Sequence, residues 1–213
     1  MTKYTIVKDG YPLIGSTLFI TLLVYAMAGP VYAVIPFVLA CYFMFFFRDR
    51  VQDMPQDPGL LYSPADATVV SVEDFYDKEF LNEPAVKVTM FLSIFNIHTN
   101  RIPMAGTIKY MRYTSGGYEP AYKESAPIRN ERMAVGIDNG KNRILVIVIA
   151  GILARRIVSW ISLGNNVRQG DRYGMIKFGS CAELVMPRNV KILVHKGDKV
   201  KGGITPIGRQ SVQ

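Results

Sequence analysis

The N-terminal part of the chain contains a long apolar run that no charged side chain interrupts. Residues 10–47 include no Asp, Glu, Lys or Arg. Gly29-Pro30 divides the run into segments 12–29 and 30–47, because proline lacks a backbone donor and disfavours helix in the residue before it. A helix of this length spans about 27 Å, just enough to cross a bilayer. The pattern predicts a transmembrane helical hairpin within a membrane anchor over residues 1–50.

Basic residues on both flanks predict how this hairpin is oriented. Lys3 and Lys8 precede the apolar run, and Arg48 and Arg50 follow it. The positive-inside rule places such flanks on the cytoplasmic side of the cell membrane. We therefore expect the rest of the chain to be cytoplasmic as well.

Two other interpretations of the apolar run stay open. A signal peptide would explain the basic start and the small residues Ala26 and Ala28, but cleavage there leaves a second apolar run at the mature N-terminus. A shallow re-entrant or interfacial hairpin would suit the shortness of each half and the interruption at Pro36. The length of the segments does not separate these from a full crossing.

Beyond residue 50 the pattern changes to short runs typical of β-strands. Residues 51–59 are rich in proline and aspartate and predict a linker. The following runs are dominated by Val, Ile, Thr and aromatic residues, with Gly, Asn, Asp or Pro between most of them. They lie at residues 68–72, 86–92, 107–110, 133–137, 144–150, 157–161, 175–178, 183–186 and 190–194. The pattern predicts a mainly β domain over residues 60–213, built as a barrel or a sandwich.

Two turns add detail to this β domain. Residues 138–142 (DNGKN) separate two of the runs, and Asn-Gly is a strong hairpin signal because it readily adopts positive φ. Residues 194–203 combine a strand, a Gly197-Asp198 turn and a return. This turn resembles that of lipoyl- and biotinyl-like domains and indicates a relative of the barrel-sandwich hybrid fold. Lys199 follows the turn with no methionine beside it, so the turn indicates a fold and not a carrier lysine.

Charge and cysteine content narrow the classes of function. The 213-residue chain has a net charge of +8, which favours an anionic partner such as a nucleic acid or an acidic lipid surface. The apolar run favours lipid, and the chain has no P-loop, dinucleotide fingerprint or RNA-binding aromatic motif. Its two cysteines, Cys41 and Cys181, suggest neither a disulfide framework nor a metal site. We therefore expect a lipid bilayer as a partner, and neither nucleic acid nor metal.

Candidates for acid–base chemistry are few and stand far apart in sequence. Asp66 precedes a strand, where an Asx-type turn explains it as well as a carboxylate that orients a histidine. His98 fits either a satisfied polar residue at a strand end or a general acid and base. His195, beside the Gly197-Asp198 turn, fits a structural role better. Asp66, His98 and Ser180 together would make an Asp-His-Ser relay.

The Gly179-Ser180 bond is one at which a chain can cut itself, although the same dipeptide is also a common turn. A serine hydroxyl can attack the preceding carbonyl carbon, which glycine shields least because it has no Cβ. Elimination from the resulting ester leaves dehydroalanine and then a pyruvoyl group at a new N-terminus. Such a group is a built-in electrophile.

Five landmarks occur in order along the chain. They are the apolar segment, SPADA at 63–67, the His98 segment ending in RIP at 101–103, NER at 130–132 and GDRYGMIKFGS at 170–180. Together they resemble the phosphatidylserine decarboxylase proenzymes, especially the short bacterial and archaeal form. The resemblance extends from about residue 60 to the C-terminus.

The resemblance implies a cofactor, a reaction and a site. Self-cleavage would give a β chain of residues 1–179 and an α chain of residues 180–213 that begins with the pyruvoyl group. That group would take the amine of phosphatidylserine and draw electrons away as CO2 leaves, giving phosphatidylethanolamine. Asp66, His98 and Ser180 match the cleavage residues, and His98 is the candidate for the later proton transfer. Arg101, Arg132 and Phe178 are candidates for binding substrate. The guanidinium of each arginine can hold a phosphate or carboxylate with two hydrogen bonds.

Two positions depart from the family pattern. Ala67 stands where the family usually has glycine, and Arg101 stands where long-form members have a second histidine. Either His98 serves both steps, or Arg101 holds substrate while another base acts in cleavage. A pyruvoyl decarboxylase of another amine and a non-enzymatic, membrane-anchored adaptor remain alternative functions. The sequence does not determine whether the protein forms a homo-oligomer.

Overall fold

The computed structural model describes residues 3–51, 53–117, 130–151, 157–176 and 180–210, with only the backbone of Ser180. The chain divides into two compact units, Met1–Asp53 and Met54–Gln213. Two helices, α1 (Tyr11–Ala28) and α2 (Pro30–Phe46), lie in the first unit. The described strands are β1 (Lys3–Ile6), β2 (Arg48–Val51), β3 (Leu60–Tyr62), β4 (Ala67–Asp77), β5 (Glu83–Leu92), β6 (Thr99–Arg101), β7 (Gly106–Thr114), β8 (Arg132–Asp138), β9 (Arg143–Ala150), β10 (Ile157–Ser159), β11 (Asn166–Val167), β12 (Arg172–Ile176), β13 (Ser180–Pro187), β14 (Lys191–Ile192), β15 (Lys199–Val200) and β16 (Pro206–Arg209).

The first unit is a helical hairpin closed by a short β ladder. Gly29 alone separates α1 from α2 and has a φ of 87°, which glycine adopts without strain. β1 pairs antiparallel with β2, and the Val7 N–H donates to the Phe47 carbonyl at 3.0 Å. The two flanks of the hairpin therefore meet at one end of it. The helix bounds differ by about one residue from the expected segments 12–29 and 30–47.

The hairpin presents apolar side chains on its outside. Leu22, Met27 and Ile35 are all largely exposed. A contiguous exposed apolar surface of this kind is unusual on a water-soluble protein. Within the described residues, Lys8–Ala28 is the helix that is long and apolar enough to cross a membrane, and the apolar helix Pro30–Phe46 is shorter. Length and composition thus indicate membrane association, as they would for a signal sequence near the N-terminus.

The second unit is mainly β, as the sequence predicts. Its largest sheet has the strand order β11-β7-β8-β9-β13-β5-β4-β15, with every neighbouring pair antiparallel. Two three-stranded sheets, β10-β12-β6 and β14-β16-β3, complete the described strands of this unit. β13 is therefore a central strand of the large sheet, flanked by β9 and β5.

Side chains cover both faces of the large sheet at its centre. Ala182, Leu184 and Met186 of β13 join the main apolar core, while Cys181 and Val185 join a second cluster on the opposite face. Strands covered on both faces read as continuous apolar runs, which explains the sequence RILVIVIA of β9. The strand that follows Gly179 is thus held rigidly by packing on two sides.

Most of the predicted strand runs are present, with altered bounds. The run at 190–194 shrinks to the two residues of β14, and residues 177–178 of another run lie outside the described part of the chain. The hairpin at 138–142 is confirmed, with φ of 85° at Gly140 and Asn139 Oδ1 accepting from the Asn142 N–H at 2.8 Å. The 194–203 turn lies at an edge of the large sheet, where β15 pairs with β4.

Candidate active site

Ser180 lies where three strand ends of the large sheet meet. It is the first residue of β13, and its register partners are Leu92, the last residue of β5, and Ala150, the last residue of β9. Gly179 and Phe178 lie outside the described residues. The fold therefore places the backbone of the predicted cleavage residue at one end of a central strand.

His98 is completely buried in the loop that continues from β5. A turn supports this loop, with the Ser93 N–H donating to Asn96 Oδ1 and the Asn96 N–H donating to the Ser93 carbonyl, both at 2.9 Å. His98 Nδ1 lies 2.9 Å from the Asn96 carbonyl oxygen. Since a carbonyl only accepts, Nδ1 carries the hydrogen and Nε2 is the basic nitrogen of the neutral ring. The loop thus fixes the imidazole with Nδ1 toward the backbone, and in the neutral ring the lone pair lies at Nε2.

The backbone brings His98 and Ser180 to the same end of the molecule. The Ile176 N–H donates to the His98 carbonyl at 3.2 Å, continuing the ladder between β6 and β12. Ile176 precedes Ser180 by only four residues, which span at most about 14 Å of chain. Leu92, the partner of Ser180, precedes His98 by six residues. Two independent links therefore connect the histidine and the serine.

Asp66 bonds to a distant part of the chain. Its Oδ1 accepts from the Gly202 N–H at 2.8 Å, in the turn after β15. The preceding Pro64 carbonyl accepts from the Arg101 N–H, also at 2.8 Å. The loop that carries Asp66 is consequently fixed between the Gly202 turn and the strand that follows His98. In a serine–histidine–aspartate relay, a carboxylate accepts the hydrogen bond from the histidine Nδ1. At His98 the Asn96 backbone carbonyl accepts this hydrogen bond.

The two candidate substrate-binding arginines have different surroundings. Arg101 is 7% exposed, and its Nη1 donates to the Gly170 carbonyl at 3.3 Å. Arg132 forms an ion pair with Glu79, which also accepts from the Tyr110 hydroxyl at 3.1 Å. Arg101 at the end of β6 is therefore bound to the Gly170 carbonyl, whereas Arg132 is engaged by a neighbouring carboxylate.

Three further polar residues, on the paired strands β6 and β12, were not predicted from the sequence. The hydroxyls of Thr99 and Tyr173 and both side-chain atoms of Asn100 are buried and have no hydrogen-bond partner among the described residues. Burial also raises the pKa of the Tyr173 hydroxyl, so that it stays a neutral donor. Buried polar atoms of this kind are usually completed by a ligand or ordered water. The sequence offered one signal, a polar pair directly after His98, but burial appears only in the fold.

Comparison with known proteins gives a consistent family assignment. The sequence model of the family described as phosphatidylserine decarboxylase matches residues 39–208. A protein of Carboxydothermus hydrogenoformans named phosphatidylserine decarboxylase proenzyme is 44% identical over 174 residues, covering 81% of this chain and 82% of its own. A protein of the same name from Symbiobacterium thermophilum is 37% identical over 210 residues, covering 98% of this chain and 97% of its own. With a matched family model over most of its length and relatives similar along almost the whole sequence, the chain belongs to the phosphatidylserine decarboxylase family.

Proposed function

We propose that this chain is a proenzyme that cuts itself between Gly179 and Ser180 and then converts phosphatidylserine to phosphatidylethanolamine and CO2. The relatives carry the name of such a proenzyme, and the family model covers residues 39–208. The observation that carries the proposal is the placement of Ser180 at three converging strand ends, beside the loop that buries His98. A serine in an ordinary exposed turn would have neither feature.

The cleavage step needs no oxidant or reductant. The Ser180 Oγ bonds to the carbonyl carbon of Gly179 as the carbon–nitrogen bond breaks, the hydroxyl proton passes to a base, and the released amine takes up a proton. A base then removes the Cα proton of residue 180, and the ester oxygen leaves with Gly179 as its carboxylate. Water converts the resulting dehydroalanine to a pyruvoyl group and ammonia. The products are the chains 1–179 and 180–213.

We assign to His98 the two proton removals of self-cleavage, from the Ser180 hydroxyl and from the Cα of residue 180. Its Nε2 is the basic nitrogen of the neutral ring, because Nδ1 donates to the Asn96 carbonyl. Arg101 cannot replace the second histidine of long-form members as a base, since a guanidinium does not lose its proton in proteins. We assign Asp66 to the cleavage step, where its carboxylate would favour the positive charge that the imidazole gains. The hydrogen bond that the Arg101 N–H donates to the Pro64 carbonyl supports this assignment, because it keeps the Asp66 loop beside the strand after His98.

The residues around His98 suit a polar substrate. A pyruvoyl group at residue 180 would supply the electrophilic carbonyl for the substrate amine and the acceptor for the electron pair that CO2 leaves behind. His98 returns a proton to the substrate Cα. The buried atoms of Asn100 and Tyr173 fit hydrogen bonds to the head group. Arg101, which follows Asn100 on β6, is the candidate for binding the negative charge of the head group. Arg132 is instead engaged by Glu79. Phe178, the third candidate, lies outside the described residues.

We also propose that the hairpin of the first unit crosses the membrane twice and anchors the enzyme on the cytoplasmic side. Lys8–Ala28 has the length and composition for a crossing, and both flanks of the hairpin meet in the ladder of β1 and β2. Lys3 and Arg50 lie in this ladder, on the side that the positive-inside rule assigns to the cytoplasm. A bilayer anchor would keep the enzyme at its lipid substrate.

Mass spectrometry of the intact protein tests the proposed function. The purified chain should give two masses, residues 1–179 and 180–213, with the smaller chain blocked by a pyruvoyl group. Ser180→Ala should stay uncut and inactive, while Ser162→Ala, which alters an exposed loop serine, should behave as the parent. Borohydride reduction with phosphatidylserine should add the lipid mass to the small chain. An active protein with Ser180 intact would rule out the pyruvoyl mechanism, and labelling by free serine in place of the lipid would rule out the substrate.

A further inference from the structure

The Asn130-Glu131 pair has no part in the chemistry described so far, yet it is deeply buried. Asn130 is 1% exposed and Glu131 is 3% exposed, just before β8 begins at Arg132. A buried amide and a buried carboxylate cost free energy unless their hydrogen bonds are made. Their hydrogen bonds with Ala150 and Ile157 lead to the end of β9 and the start of β10.

Asn130 supplies a hydrogen bond that the ladder between β8 and β9 lacks. Arg132 pairs with Ile149, so Glu131 falls opposite Ala150, and the Ala150 N–H donates to the Glu131 carbonyl at 2.9 Å. In a regular antiparallel ladder the Glu131 N–H would return a bond to the Ala150 carbonyl. That N–H instead donates to the Gly117 carbonyl. The Asn130 amide replaces it, with Nδ2 2.7 Å from the Ala150 oxygen.

The Glu131 side chain holds the chain where it enters β10. Its Oε1 accepts from the Ile157 N–H at 3.0 Å. Ala150 and Ile157 flank residues 151–156, of which 152–156 lie outside the described part of the chain. Asn130 and Glu131 therefore fix both sides of this connection.

Ala150 is also the register partner of Ser180. The N–H and C=O of one strand residue point to the same neighbouring strand, and those of Ala150 are both used on the side of β8. Ala150 and Ser180 are therefore a non-hydrogen-bonded pair, whose Cα atoms lie about 4.5 Å apart. No backbone hydrogen bond is expected between Ala150 and Ser180. The N–H and carbonyl of Ala150 are instead held by the Glu131 carbonyl and the Asn130 side chain.

We propose that Asn130 and Glu131 are positioning residues for self-cleavage, which hold the end of β9 so that the backbone at Ser180 keeps the geometry for attack on Gly179. In this proposal they act through Ala150, the register partner of Ser180. The inference rests on the proposed cleavage between Gly179 and Ser180. A shift of about 1 Å in a reacting group can slow a reaction by roughly a hundredfold. Loss of the hydrogen bonds of Asn130 or Glu131 should therefore affect the rate of cleavage far more than folding.

The test is the rate at which the chain 180–213 appears in freshly synthesised full-length protein, followed by intact mass. Asn130→Ala and Asn130→Asp should slow cleavage by at least about tenfold, since neither a methyl group nor an ionised carboxylate can donate to the Ala150 carbonyl. Glu131→Gln keeps an acceptor for the Ile157 N–H and should cleave nearly as the parent. Glu131→Ala, which lacks one, should be slow. Asn142→Ala, in the distant 138–142 hairpin, is the matched control, because it also loses a side-chain amide hydrogen bond of 2.7 Å, donated to Gln210.

Thermal melting in an uncut Ser180→Ala background separates positioning from folding. Cleavage is timed well below the melting temperature of each variant, where a merely structural residue would leave its rate unchanged. Asn130→Ala cleaving as fast as Asn142→Ala would overturn the proposal. If Asn130→Ala does not fold, the Glu131 pair decides, and equal rates for Glu131→Gln and Glu131→Ala would overturn it. If the parent chain itself is not cut at residue 180, the proposed function fails instead.

Discussion

At the scale of single residues, a local turn sets the orientation of the His98 imidazole. The Asn96 carbonyl takes the Nδ1 hydrogen, which leaves Nε2 as the basic nitrogen within a fully buried ring. A neighbouring carboxylate is the more familiar partner for this position. Here a backbone carbonyl two residues earlier does the same orienting task.

His98→Ala should leave the chain uncut, because the proposed base for Ser180 is removed. Loss of a general base typically costs roughly 10²–10⁴-fold in rate, so the mass of the uncut chain should persist. His195→Ala is the control, since the His195 side chain is 91% exposed at a turn. A His98→Ala chain that is cut at the parent rate but does not decarboxylate would restrict His98 to the later step.

Glu183 is a buried carboxylate that the proposed reaction does not use. It is 4% exposed on β13, with Lys87 Nζ 3.8 Å from Oε1. Burial raises the pKa of this carboxyl, and the nearby charges of Lys87 and Arg132 only partly oppose the rise. At low pH the folded and unfolded chains both bind the proton. As the pH rises above the ordinary carboxyl range, the unfolded chain ionises freely while the folded chain resists, so the free energy of unfolding falls.

Glu183→Gln should remove this loss of stability, because glutamine has no proton to give up. In the uncut Ser180→Ala background, the fall in melting temperature between about pH 4 and about pH 8 should be smaller than with Glu183 present. Glu73→Gln is the matched control, because Glu73 approaches the same Lys87 at 3.6 Å but is 54% exposed. An unchanged pH dependence in Glu183→Gln would contradict the effect of burial.

At the scale of elements, strand ends create the site. β5, β9 and β13 each place one end at Ser180, and the short ladder of β6 and β12 brings the His98 loop to the same region. The long strands were visible in the sequence because their apolar pattern extends over many residues. β6 and β11 were not predicted, because two or three residues carry no pattern and pair only once their neighbours are in place.

Gly174→Ala should disturb the three-stranded sheet that leads to Ser180. A Cβ at this position would lie 2.4 Å from the Val158 carbonyl oxygen, so β10 and β12 would have to separate. We expect a loss of about 1–3 kcal/mol in the free energy of unfolding, measured with urea in the uncut background, and slower self-cleavage. Gly140→Ala has no atom within 4 Å of its Cβ and should suffer only the strain of its φ of 85°, with cleavage at the parent rate. Equal cleavage rates for the two variants would contradict the expected dependence of self-cleavage on this sheet.

At the scale of the whole molecule, two compact units divide the proposed tasks of anchoring and chemistry. The first consists of the apolar hairpin and its ladder, and the second contains Ser180, His98 and Asp66. The net charge of +8 favours an anionic lipid surface over neutral lipid. Anchor and charge together would concentrate the enzyme where phosphatidylserine occurs.

The full-length protein should resist alkaline extraction from bacterial membranes and should be digested by protease in inverted vesicles but not in intact spheroplasts. Leu22→Arg should weaken the anchoring, since an arginine near the middle of a spanning helix costs about 2.5–3.5 kcal/mol in insertion. Tyr4→Arg is the control, because Tyr4 is equally exposed but lies in β1, outside the helices. Release of the parent protein by alkali, or digestion in spheroplasts, would contradict the proposed anchor or its orientation.

The sequence by itself determined the apolar hairpin, the mainly β class of the second unit, the Asn139-Gly140 turn and the family resemblance. These depend on local patterns: continuous apolar runs, alternation along strands, turn residues with positive φ and short motifs. Only the tertiary structure decided the partners of each candidate: Asn96 for the His98 ring, Gly202 for Asp66, Glu79 for Arg132, and Ala150 for Asn130. The physical reason is that hydrogen bonds and ion pairs between distant segments depend on sheet register and burial. Register arises when strands far apart in sequence pack together, so a motif can be recognised before its contacts can be known.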